Sequence, residues 1–200
     1  MIGKFWRITR SKEPAIEPLR DGSWLFARLL ARHRGIDLDR DLAPESLFHA
    51  CVLHDLGLTT RGDGHQRFEV DGADYAAEFL TGQGMAAKDV DAVWEAIALH
   101  TSAGIAERMG GLTELTHVGI GTDFGFRSDF ITDTQGAEIH RAYPRHAMAT
   151  SLTDEIIAQV RRRPAKAPPY TMAAEQLRER DTPPHLTALE AAANASRWGN

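Results

Sequence analysis

The chain has 200 residues, 42 % of them hydrophobic, and a formal net charge of −5. That length and apolar content suit one globular domain with a sizeable core. The acidic balance gives no general electrostatic reason to bind nucleic acid or an anionic membrane, although a local cation can reverse the field inside one pocket and admit a small anionic substrate.

The single cysteine, Cys51, excludes an intramolecular disulfide and reads as a buried, inert thiol in a reducing compartment. No apolar run approaches the roughly 20 residues needed to span a bilayer. The N-terminal stretch lacks the apolar segment and small-residue cleavage site of a secretory signal. A cytoplasmic protein is expected.

Nearly every periodic segment shows helical 3–4 spacing, and none combines strict alternation with hairpin turn residues. After a Pro-interrupted arm over residues 1–20, "SWLFARLLARHRG" is amphipathic and stops at Gly35, a C-cap residue. "LAPESLFHACVLHDLG" begins with Pro44 near its first turn and ends at Gly57. "VDGADYAAEFLTGQG" has Asp71 as candidate N-cap and Asp74 three residues on. "KDVDAVWEAIALHTS" carries acids in its first turn, where the helix dipole favours them, and "GLTELTHVGIGTDFG" follows. Further helical patterns lie near 135–142, 152–163, 171–180 and 186–198, punctuated by prolines. The run "RRRP" at 161–164 reads as a solvated helix end, where cations suit the dipole, rather than as a phosphate-binding patch. The expectation is an all-α protein with a compact core over 21–145 and a looser helical extension over 146–200.

One helix places charge in its apolar stripe. At about 100° per residue, Leu47, Phe48, Cys51 and Val52 define a face on which Asp55 falls near the centre and His54 at the edge. A buried carboxylate costs several kcal/mol unless something positive meets it. A buried Arg or Lys, a network of donors, or a metal ion could do so. Two other helices behave alike. His100 sits one turn from Ile97 at the margin of an apolar face, and Asp123 shares a face with Leu112, Leu115 and Gly119. Gly119 and Gly121 weaken their helix and suit a close approach by another backbone or a ligand. Together His54, Asp55, His100 and Asp123 are four nitrogen or oxygen ligands aimed inward from three helices, as in metal sites built inside helical bundles.

The order of "HD" at the end of an apolar helix and an isolated Asp some seventy residues later resembles the HD-domain superfamily of all-helical, metal-dependent hydrolases. More narrowly, "LHDLGLT", "RFEVDGADYA", "VWEAIALHTSAGIA" and "GIGTDFGF" look like its cyanamide hydratase-like branch, over about residues 22–145. The resemblance implies an HD-type helical bundle with a divalent transition metal (zinc, iron or manganese) held by His54, Asp55 and Asp123. His100 would lie at the pocket as ligand, hydrogen bonder or proton relay. One departure stands out. Where family members carry a first metal-binding His, this chain reads "RDGSWLFARLL" and has Gly22. His33 lies too far along the helix to replace it, and Asp21 is an alternative oxygen ligand.

In that reading metal-bound hydroxide attacks a small nitrile-like substrate. His100 and Asp55 are the catalytic groups, with Arg67, Glu69 and Thr101 as substrate-binding residues. Phosphohydrolysis of a nucleotide or phosphomonoester is the alternative, weakened by few basic residues near the motifs, Arg61 and Arg67 being the obvious ones. A catalytically silent binding module is the third, because the first ligand His is absent. The partner expected is a small-molecule substrate, with no nucleic acid and no membrane. A homo-oligomer stays open.

Overall fold

The computed structural model describes residues 22–199; the arm at 1–20 and Asp21 lie outside the described residues. Ten α-helices and four short 3-10 turns make up the regular structure among the described residues, with no strand. The class is therefore all-α, as the uniform 3–4 spacing predicts. No described helix is long and apolar enough to cross a membrane.

Five helices build the main core: α1 (Gly22–His33), α3 (Pro44–Leu53), α4 (Phe68–Gly82), α5 (Ala87–Ala98) and α6 (Gly111–Asp123), with the short α2 (Leu38–Asp41) between the first two. Their inward faces supply Ala27, Leu30, Leu47, Cys51, Ala76, Leu80, Val93, Ile97 and Leu115, all buried in one apolar cluster. The weak helix former Gly119 has its explanation here. A Cβ at that position would stand 2.6 Å from the Cβ of Ala27, so only glycine lets α6 lie this close to α1.

The C-terminal part packs onto this core. α7 (Asp133–Ala142), α8 (Met148–Arg162), α9 (Met172–Asp181) and α10 (Ala188–Ala195) follow in order. Met148, Leu152, Ile156, Val160, Ala173 and Ala193 form a second buried cluster with Leu58, Phe68, Ile120 and Phe124. A polar tie reinforces it. Lys166, only 1 % exposed, donates to Asp71 Oδ2 at 2.6 Å and Asp63 Oδ1 at 3.0 Å. In the basic run Arg161 is ion-paired with Asp181, Arg162 with Asp63 and Glu155, and Arg163 with Asp63.

Three boundaries differ from expectation. α4 begins at Phe68 with Arg67 as N-cap, so Asp71 is not the cap. Its carboxylate instead accepts from the Gln66 backbone N–H and from Lys166, a partner 95 residues away that local reasoning does not see. α3 ends at Leu53 with His54 as its C-cap residue, and α5 ends at Ala98 with Leu99 as cap. The His-Asp pair and His100 therefore stand just beyond helix ends, not within helices.

Candidate metal centre

Those two helix ends place the two histidines in the same way. Each ring spends its Nδ1–H on a carbonyl three residues back, His54 on Cys51 O and His100 on Ile97 O, both at 2.7 Å. Both carbonyls belong to the last helical turn, and that of Ile97 also accepts from the backbone N–H of His100 at 3.3 Å. Because a carbonyl only accepts, Nδ1 must carry the proton in both rings, and the Nε2 atoms are left for other work. Both Nε2 atoms turn to Asp55: His54 Nε2 is 3.0 Å from Oδ2 and His100 Nε2 is 3.8 Å from Oδ1. The rings meet edge to face with centroids 5.0 Å apart, and Phe68 closes on His100 from a third direction.

One ligand atom from each of His54, Asp55 and His100 falls within 4.8 Å of the others. All three residues, and Asp123, are 4–5 % exposed. Among the described residues the buried Asp55 Oδ2 atom meets no well-aligned donor, its close neighbour being His54 Nε2 at 3.0 Å. Asp55 follows the end of α3, and Asp123 is the last residue of α6. Both acids thus sit where the helix dipole repels negative charge, and both call for a cation.

Electrostatics in the cluster divide the two imidazoles. Burial opposes a charge on His54, but the adjacent Asp55 carboxylate outweighs it, with help from Asp123, so His54 is raised above the usual histidine value. His100 goes the other way, to about 4, through burial and the neighbouring charge of His54. Burial works against ionised Asp55 as well, yet His54 and His100 hold it below the ordinary carboxylate range.

Asp123 stands outside that trio and has its own surroundings. His140 Nε2, from α7, donates to its Oδ1 at 3.2 Å. A Cβ at Gly22 would lie 3.0 Å from its Oδ2. Position 22 therefore faces Asp123, the same carboxylate that His140 contacts. Arg145, on the loop after α7, is buried and feels Asp123 electrostatically; burial lowers it and the Asp123 charge opposes that. Sequence reasoning missed both residues. His140 carried a faint signal, one position after the buried Ile139 on an amphipathic helix; Arg145 carried none.

Arg67, Glu69 and Thr101 form a separate knot beside the cluster. Glu69 Oε1 accepts from Thr101 Oγ1 at 2.5 Å and from Arg67 Nη2 at 2.9 Å. Glu69 is 1 % exposed, so this is not a surface ion pair, and its charge reaches His100. Arg61 lies over the ring of Tyr75. Cys51 is fully buried and its thiol is pushed up to about 12 by burial, which makes it inert at neutral pH.

A family model described as the HD domain matches residues 22–192, nearly the whole described chain. The protein belongs to the HD-domain family, whose members have a fold of the metal-dependent hydrolase type. No curated protein matches the chain.

The donor set fits a divalent transition metal. Imidazole with carboxylate ligation is what zinc, iron and manganese accept, each histidine is fixed by a hydrogen bond from its other nitrogen, and a buried carboxylate faces both rings.

Proposed function

We propose that the chain is a metal-dependent enzyme that adds water to a small substrate at the His54–Asp55–Asp123 centre. The observation that carries this reading is the convergence of His54 Nε2, His100 Nε2 and an Asp55 carboxylate oxygen in a buried cluster. Such convergence is costly without a cation. His54, Asp55 and Asp123 would hold the ion, and His140 would orient Asp123. A divalent ion held there lowers the pKa of water and polarises the electrophile.

The chain's own residues supply the rest. His100 is neutral at physiological pH, so its Nε2 can take a proton from the attacking water and return it to the product. Phe68 and the ring of His54 keep bulk water away from that nitrogen. Glu69 with Thr101 and Arg67 fixes the wall beside it.

Two substrate classes follow. Hydration of a small nitrile such as cyanamide is supported by the four motifs and by the near-complete burial of the site. Phosphomonoester hydrolysis needs a cation for the phosphate, and neither Arg61 nor Arg67 supplies one, since Tyr75 and the Glu69–Thr101 pair occupy them. Arg145 is a third cation that the motifs do not contain.

The test is metal content by mass spectrometry on protein purified without chelator, beside Asp55→Ala and Asp123→Ala. Near-stoichiometric zinc, iron or manganese in the wild type and its loss from both variants is the expected result, followed by turnover of cyanamide or of a generic phosphomonoester. No metal after reconstitution sinks the enzyme reading and leaves a helical binding module with a buried His-Asp network.

A further inference from the structure

Gln159 lies on the inward face of α8 and is 1 % exposed. Ile156, one turn before it, and Val160, next in sequence, belong to the apolar cluster that takes in Leu58 and Phe68. An amide in such surroundings is costly to bury unless a partner meets it. Gln159 has one, 102 residues away: its Nε2 donates to the carbonyl of Gly57 at 2.9 Å. That carbonyl only accepts, so the amide cannot be turned end for end. Its Oε1 is buried and meets no donor among the described residues. Half of the amide is therefore unmatched, which makes the side chain a poor device for stability alone.

Gly57 stands two residues after Asp55, in the turn Leu56–Leu58 that follows α3. The Leu58 N–H closes this turn by donating to Asp55 O at 2.9 Å. Gly57 is also pressed against the start of α4. A Cβ there would stand 1.9 Å from Phe68 O and 2.9 Å from the backbone nitrogen of Gly72, so only glycine fits. Phe68 in turn faces the His100 ring, with centroids 5.7 Å apart. Gly57 is thus gripped between the first turn of α4 and the Gln159 amide of α8. A single residue, Leu56, separates that grip from Asp55. Lys166 and Arg163 hold the same loop further from Asp55, at Asp63 and Gly64.

We infer that Gln159 is a positioning residue for the metal centre: through the Gly57 carbonyl it sets the direction in which Asp55 presents its carboxylate to His54 and His100. The inference rests on the metal-dependent reading above and adds to it a part for the C-terminal helices. Without the Gln159 amide the turn after the His-Asp pair keeps its contact with α4 and loses the hold on its carbonyl. Asp55 then has a wider choice of directions, and the centre loses the alignment of a ligand rather than the ligand itself.

The test uses full-length wild type, Gln159→Met and Gln176→Met. Methionine is unbranched and adaptable, and it removes the donor. Gln176 is the control, a second buried glutamine of the C-terminal helices whose amide atoms have no partner among the described residues. Zinc affinity is read by competition with a chelator, and the stability of metal-free protein by denaturant unfolding. Gln159→Met should bind zinc about ten-fold more weakly, the lower end of what a residue behind the ligands costs. Its unfolding midpoint should stay close to that of wild type, and Gln176→Met should match wild type in zinc affinity. Equal affinity for all three proteins, or an equal loss in both variants, overturns the proposal. A weaker affinity that comes with a large fall in the unfolding midpoint makes Gln159 structural and overturns it too. If Gln159→Met does not fold, wild type alone decides. The side-chain amide resonances of Gln159 should then shift on zinc binding while those of Gln176 stay, and a Gln159 signal indifferent to zinc sinks the inference. A wild type that takes up no zinc removes the metal reading separately. In that case the carboxyl carbon of Asp55 in metal-free protein is the readout: its chemical shift should differ from wild type in Gln159→Met alone, and identical shifts overturn the inference.

Discussion

Gly22 lies against the carboxylate of Asp123, so closely that a Cβ on its backbone would come within 3.0 Å of Oδ2. The first position of α1 therefore addresses the candidate centre directly, and its missing side chain leaves that carboxylate room. Gly22→Ala should push Asp123 aside by a few tenths of an ångström and weaken metal binding several-fold, with little loss of stability. Gly22→His offers a further imidazole and should raise affinity instead. Titration of each variant with a chelator of known affinity reads both directions. Equal affinities for all three proteins would show that position 22 has no part in the site.

His140 donates to Asp123 across 17 residues, and a partner of this kind fixes the orientation of a carboxylate. Replacing it by phenylalanine keeps the aromatic packing with Phe26 and Trp198 and removes the donor. The expected cost in metal affinity is about ten- to a hundred-fold, measured by the same titration. Unchanged affinity would make the contact a packing accident.

His100 should remain neutral in metal-free protein down to about pH 4. Nitrogen chemical shifts of the ring should show a single neutral tautomer, protonated on Nδ1, across pH 5 to 8. A midpoint near the ordinary histidine value would mean that the site is wetter than its burial indicates.

Lys166 joins the C-terminal helices to Asp63 and Asp71. Lys166→Met leaves Asp71 buried without its cation and should cost about 3 kcal/mol in denaturant unfolding at pH 7; adding Asp71→Asn should recover much of it. Burial works to raise Asp63, but hydrogen bonds from Lys166 and Arg163 hold it below the usual carboxylate range. A depressed folded value stabilises the fold above the unfolded pKa of about 4 and loses that stabilisation as pH falls through the folded value. The unfolding midpoint of wild type should therefore drop below pH 4 more steeply than that of Asp63→Asn.

Much of this architecture is legible in local spacing. The inward faces of α1 and α3 to α6 follow the 3–4 pattern, and the C-terminal helices fall within a few residues of their predicted ranges. Wheel geometry puts Asp55 and Asp123 on apolar faces and His54 and His100 at the margins of such faces, and all four are buried. Non-local pairing hides the remainder. Asp71 looks like a cap until Lys166 takes its carboxylate, and Glu69 looks like a surface acid until Thr101 closes over it. His140 reaches Asp123 only because α7 packs beside α1. No spacing rule carries such information, since it belongs to the packing of helices distant in sequence.

Trp198 stacks on Phe26 at 6.0 Å and meets the ring of His140 edge to face at 5.5 Å, while Arg197 donates to the carbonyls of Ser128 and Ile131. During synthesis the groups around Asp55 emerge long before this aromatic backing exists. Until residue 198 has left the ribosome, His140 has one of its two flanking rings missing. The nascent chain can collapse around its first six helices, but the Asp123 corner takes its final shape only after nearly all of residues 22–199 have been translated.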